Sequence, residues 1–61
     1  METDRHELSR TIRQYRRRRG LSQADLAELL SIHPKTVSRW ESGHRKPWPF
    51  HRHELERLFA E

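Results

Sequence analysis

Apolar residues along this chain recur at helical spacing and nowhere alternate as a half-buried strand would. Leu8, Ile12 and Tyr15 fall four and three residues apart, which places them on one face of a helix. Thr3 or Asp4 is positioned to cap it, with Glu7 reciprocating if Asp4 is the cap. The run Arg16 to Arg19 fills its last turn, where cations complement the negative end of the helix dipole. Gly20 then supplies the left-handed residue that ends a helix, so the first helix is predicted over about 4–19.

A second helix is predicted over about 23–30. Ser22 and Asp25 form a capping box with Asp in place of the commoner Glu. Leu26, Leu29 and Leu30 supply its apolar stripe, and Ala24 and Ala27 offer small surfaces for close packing. Ser31, Ile32 and His33 break the pattern. Pro34 is tolerated at a first helical position, which makes His33 the cap of a third helix over about 34–42. Val37 and Trp40 face inward on it, leaving Lys35, Thr36, Ser38 and Arg39 outside, and Gly43 closes it. Residues 44–50 carry two prolines and read as an ordered turn. Pro49 can open a fourth helix, predicted over about 50–60, with Leu55, Leu58 and Phe59 inward. Tyr15 and Trp40 are expected in the core, Tyr15 with its hydroxyl at the rim; Trp48 either caps the core between its two prolines, the favoured placement, or is exposed at a partner surface. The fold class is all-α, a compact bundle of four or five short helices in a single domain over 1–61.

Length narrows function. A chain of 61 residues buries only about 60% of the surface its unfolded form exposes, which disfavours a large catalytic cavity. The absence of cysteine excludes disulfide staples and thiolate zinc sites. No segment approaches the roughly 20 apolar residues of a membrane span, and the first ten residues lack the apolar core of a secretory signal. A soluble, cytoplasmic and nucleoid-associated protein is the expectation.

Charge points to a polyanionic partner. Thirteen Lys and Arg stand against nine Asp and Glu, for a net charge of +4. An acidic protein or a membrane surface would satisfy that balance too. Five histidines raise the question of a metal, but His51 and His53 are two apart and point to different helix faces, and the others are scattered. Neither a metal nor a cofactor is expected. No serine has a visible activating neighbour, and Glu54, Glu56 and Glu61 form no pair suited to acid–base work. The residues point away from an enzyme.

Two short helices around Ser31-Ile32-His33 make a helix-turn-helix arrangement. The stretches Gly20-Leu21-Ser22-Gln23-Ala24-Asp25-Leu26-Ala27 and Thr36-Val37-Ser38-Arg39-Trp40-Glu41-Ser42-Gly43 resemble the phage-repressor/Cro-like (xenobiotic-response-element) family over about residues 8–50. The resemblance implies a lambda-repressor-like fold and a recognition helix in the major groove of double-stranded DNA. Base-reading positions then fall at Pro34, Lys35, Ser38 and Arg39, with Thr36 able to bond a base edge or a phosphate. Pro34 departs from the family's polar pattern and can offer only apolar contact. Arg39 has the geometry for two hydrogen bonds to guanine. The resemblance assigns phosphate contacts to Gln23 and to the cluster His44, Arg45 and Lys46, and the helix starts at Ser22 and His33 suit phosphate too. Arg17, Arg18 and Arg19 are candidate phosphate contacts or a solvated face. Arg16 is expected to pair with Glu41 instead.

The family pattern also implies a homodimer on a palindromic site, built through a fifth helix or a further domain. It has an apolar residue near Arg52 that this chain lacks, and Trp48-Pro49-Phe50 is expected to replace it. Two rival functions stand beside a DNA-binding transcription regulator. One is an antitoxin-type protein-interaction module presenting Trp48, Phe50 and Phe59 to a toxin partner. The other is nonspecific nucleic-acid binding, which is disfavoured because the aromatics are assigned to packing.

Overall fold

Three of the chain's helices end in the same way, and those ends set the architecture. The computed structural model describes residues 4–61, with side chains from residue 6 onward. Its helices are α1 (Asp4–Arg18), α2 (Gln23–Leu30), α3 (Pro34–Ser42) and α4 (Pro49–Ala60). The described residues contain no strand. The cap expected at Thr3 or Asp4 lies outside the described residues and side chains.

Past α1, the Gly20 amide donates to the Arg17 carbonyl and the Leu21 amide to the Arg16 carbonyl, at 3.1 and 2.9 Å. Past α3, Gly43 donates to Trp40 at 3.2 Å and His44 to Arg39 at 3.0 Å. Both are Schellman closures, and each requires a left-handed residue, φ 70° at Gly20 and φ 82° at Gly43. Glycine adopts this conformation without a steric penalty. Past α2 the same pair of bonds forms, Ser31 to Glu28 and Ile32 to Ala27. There the left-handed residue is Ser31, φ 58°, with a side chain that glycine would not carry.

The starts are fixed by side chains. Ser22 Oγ accepts from the Asp25 amide at 3.0 Å, and Asp25 Oδ2 accepts from the Ser22 amide at 2.9 Å, completing the capping box. His33 Nδ1 accepts from the Lys35 amide at 3.0 Å, and Pro34 follows at the first helical position, where a missing N–H costs nothing. Trp48 precedes Pro49 at the head of α4 and makes no capping bond through its side chain.

Ile12, Leu26, Ala27, Leu30, Val37, Trp40 and Leu55 form the core, drawn from all four helices. Leu8, Tyr15, Ile32, Leu58 and Phe59 pack on it half-buried. Tyr15 and Phe59 rings meet at 5.2 Å, tying α1 to α4. Four expectations about the core need correction. Leu29 is 57% exposed. The inward face of α2 is set by Leu26, Ala27 and Leu30, and at 100° per residue Leu29 falls off its edge. Ala24 is exposed for the same reason. Trp48 is 71% exposed and Phe50 67% exposed, so neither joins the core nor replaces the apolar residue absent near Arg52. Trp40 already fills that end of the interior, and the half-buried His51 ring lies against it at 5.7 Å.

A polar knot on Glu41 joins α1, α2 and α3. Glu41 is 5% exposed and takes two hydrogen bonds from Arg16, Nε to Oε2 at 2.7 Å and Nη2 to Oε1 at 3.0 Å. Gln23 Nε2 adds a third at 3.1 Å. Arg13 donates to the Glu41 carbonyl and Ser9 Oγ to the Trp40 carbonyl, each at 2.6 Å. Arg16 Nη1 also donates to the Leu21 carbonyl at 3.0 Å, holding the turn after α1. Burial pushes the Glu41 carboxyl up, but the Arg16 guanidinium, the Gln23 amide and the charge of Arg13 outweigh it and hold the group below its ordinary range. The exposed Arg52–Glu56 pair at 3.4 Å is a different case. Pairs of that kind are worth only about 0.3–0.5 kcal/mol.

Three stability measurements test these contacts. Ser31→Gly is expected to raise unfolding stability by about 0.5–1 kcal/mol, because relief of the left-handed strain exceeds the added backbone entropy. A lower urea midpoint for this variant would contradict that account. Glu41→Ala leaves the Arg16 guanidinium without its partner and should cost about 3–5 kcal/mol, most of the stability of so small a domain. Glu41 and Asp25 are both depressed in the fold. Their ionised forms therefore favour folding above about pH 4.3, and this contribution is lost as pH falls through the lower folded-state values. Glu41→Gln should flatten that acid limb in urea titrations across pH, and an unchanged slope would remove Glu41 as its source.

Candidate nucleic-acid interface

The third helix is two-faced by its spacing alone. Val37 and Trp40, at 0% and 3% exposure, hold it against α1 and α2. Pro34, Lys35, Ser38 and Arg39 lie on the exposed side, with Thr36 half-buried at the boundary. Its single acid, Glu41, is turned inward onto Arg16. The exposed side of α3 therefore carries two cations, hydroxyls and a proline ring, and no carboxylate.

Beyond Gly43 the chain passes along the same side. Thr36, Arg39 and Trp40 on α3 line an open groove of about 410 Å³ together with Arg45, Lys46, Trp48 and His51 from the following segment and α4. No acidic residue lines it. The structure thus brings Thr36 and Arg39 of the expected base-reading helix together with Arg45 and Lys46 of the expected phosphate cluster at one groove, while His44 is exposed and does not line it. His44 Nδ1 lies 2.7 Å from Ser42 Oγ, and that hydroxyl donates to the Arg39 carbonyl at 3.1 Å. His33 Nδ1 accepts from the Lys35 amide, so a neutral His33 ring carries its proton on Nε2, which is turned to solvent for an anion.

The α2 start is less open to phosphate than its position suggests. Asp25 already accepts the Ser22 amide and places a carboxylate there. The Gln23 amide nitrogen is turned to Glu41, bracing the end of α3, with a second N–H remaining. Among the four consecutive arginines, Arg16 is engaged with Glu41, and Arg17, Arg18 and Arg19 are exposed. Arg19 lies over the Tyr15 ring at 5.2 Å, a cation–π contact that draws it toward α1.

Sequence reasoning missed two parts of the support. Ser9 and Arg13 bind the carbonyls of Trp40 and Glu41 and so fix the end of α3 from α1. Their signal was available: Ser9, Ile12, Arg13 and Arg16 recur at offsets of three, four and seven, a single helical stripe. The groove-side position of Trp48 was the other, and it had no comparable signal.

Among the described residues, no group of three or more His, Cys, Asp and Glu is placed to hold a metal ion. Nor is any helix among them long and apolar enough to cross a membrane.

Comparison with known proteins gives one family. The family model described as a helix-turn-helix domain matches residues 7–60, nearly the whole chain and all of the surface described above. Comparisons with curated proteins and with solved structures give no match. The chain belongs to the helix-turn-helix domain family, of the Cro-like (xenobiotic-response-element) type, whose members bind DNA.

Proposed function

We infer that this chain is a sequence-specific, duplex-DNA-binding module of a bacterial or phage transcription regulator, working in the cytoplasm without a catalytic step or cofactor. The observation that carries the reading is the charge of α3: its only acid is buried in an ion pair while Lys35, Ser38 and Arg39 stand together in solvent. A recognition surface must be both rigidly backed and free of negative charge to enter a groove walled by phosphates. Val37 and Trp40 supply the backing.

Each residue then takes a role by its donors. The major groove is about 12 Å wide and admits one helix, so α3 enters with its N-terminal half toward the bases. Arg39 forks onto guanine O6 and N7, and Lys35 donates to the same kind of acceptor. Ser38 and Thr36 bond base edges or the adjoining phosphate. Pro34 touches a thymine methyl. His33 through Nε2–H, together with His44, Arg45 and Lys46, contacts phosphates, which position the helix and add affinity without reading sequence. Ser22 and Gln23 contribute more weakly, because Asp25 shares their end of α2. Arg17 and Arg18 add to the surrounding field, and Arg19 less so from its place over Tyr15. Binding as a homodimer to a palindrome sets half-sites about 34–36 Å apart, one turn of DNA.

Selection of bound sequences from a random duplex library tests this directly. A defined motif is expected, symmetric if the bound form is a dimer, and recovery of unenriched sequences would sink the specific reading. On the selected site, Arg39→Ala should cost about 1–3 kcal/mol and relax preference at one base pair. Discrimination equal to wild type against that substitution in the site would take Arg39 out of base reading. Arg45→Ala should weaken all duplexes alike and lower the slope of log K against log salt by about one unit. A loss confined to the selected site would contradict a phosphate role.

A further inference from the structure

We propose that Trp48 is a DNA-backbone contact: its indole ring packs on a deoxyribose of the strand bordering the major groove, between phosphates held by Arg45 and Lys46. The proposal rests on the duplex-binding reading above and adds to it a residue whose contribution is apolar.

Four observations converge on it. Trp48 is 71% exposed, and its side chain takes part in no hydrogen bond or ring pair among the described residues. It stands between Pro47 and Pro49, whose rings fix φ on both sides, and its own backbone is extended at φ −67°, ψ 159°. The backbone under the indole is restricted in this way, so docking the ring loses little backbone freedom. It shares the open groove of about 410 Å³ with Arg39, Arg45 and Lys46, and no carboxylate lines that groove. A surface alternating cations with an apolar ring matches a chain that alternates anionic phosphates with apolar sugar faces. An acidic peptide would satisfy the cations alone.

The groove also runs directly off the exposed side of α3 through Thr36 and Arg39. With α3 in the major groove, the strand along its edge passes over this groove. A duplex is therefore favoured over a single strand, whose bases would need a series of stacking platforms. The other exposed aromatic, Phe50, is paired with His51 at 5.4 Å.

Two tryptophans make the test clean, since Trp40 is 3% exposed and Trp48 reports the surface. Titrating the chain with its selected duplex, or with a scrambled duplex of equal length, should quench and shift the exposed-tryptophan emission. Trp48→Phe should abolish most of that change while keeping affinity within about threefold, because a ring face remains. Trp48→Ala should weaken both duplexes by a similar factor, about 5- to 30-fold, on the scale of aromatic stacking against nucleic acid. Its salt slope should match wild type, unlike that of Arg45→Ala, because no charge is removed. Thermal unfolding by circular dichroism checks that the variants stay folded; the wild-type emission change tests the contact even if one does not.

Emission unchanged at saturating duplex, or Trp48→Ala affinity within twofold of wild type, would overturn the proposal. Tighter binding of the single strand with the same quench would overturn it too, in favour of base stacking. Loss of self-association in Trp48→Ala with DNA affinity intact would make the ring a contact between copies of this chain instead. A wild-type chain that binds no duplex defeats the parent reading, whereas duplex binding with a silent Trp48 defeats this inference alone.

Discussion

Glu41 is a carboxylate buried at the end of a helix that has to present a positive surface. Left unpaired, it would be expensive to bury and would leave an uncompensated negative charge on that helix. Arg16 resolves both problems with a two-point bridge at 2.7 and 3.0 Å, and Gln23 satisfies a further lone pair. Fork geometry matters here, since a lysine at position 16 could supply charge but not two parallel donors. The bridge also spans elements far apart in the chain: α1 gives Arg16, the start of α2 gives Gln23, and α3 gives Glu41.

The knot does more than neutralise a charge. Apolar packing of Val37 and Trp40 presses α3 onto the core but leaves it free to slide or roll by small amounts. Directional bonds at its C-terminal end oppose that. Ser9 and Arg13 fasten the Trp40 and Glu41 carbonyls, and the Gly43 closure fastens those of Trp40 and Arg39. At the other end, His33 and Pro34 define the first turn. A helix held at both ends keeps Lys35, Ser38 and Arg39 in fixed relation, which base reading under the proposed function demands. Replacing the buried pair by apolar residues could preserve stability. It would give up this directionality.

The surface continues from the same constraint. With Glu41 turned inward, α3 and the segment after Gly43 share one cationic side, and the paired prolines project Trp48 into it. In so small a domain, where core volume is scarce, an exposed tryptophan is a substantial area of apolar surface left in water. At that end of the interior Trp40 is buried and the half-buried His51 ring lies 5.7 Å from it, while Trp48 stays outside.

Local chemistry in the chain settled a good deal of this molecule. Ser22 and Asp25, His33 and Pro34, and the glycines at 20 and 43 act over a few residues, so helix ends could be read from them. Periodicity identified Val37 and Trp40 as the inward pair because they are the only large apolar side chains of α3. The sequence of α2 offers three leucines and two alanines: Leu29 fits an apolar stripe by type, but the buried face is Leu26, Ala27 and Leu30. The partners of Ser9 and Arg13, the exposure of Trp48 and the union of α3 with the 44–48 segment into one groove depend on where distant elements come to rest. Helix ends and inward faces are matters of nearest-neighbour bonding and 100° steps, and the chain encodes them within a turn or two. Which polar groups meet across the core, and which ring is left outside it, is decided by competition for limited interior space, and only the assembled fold resolves that competition.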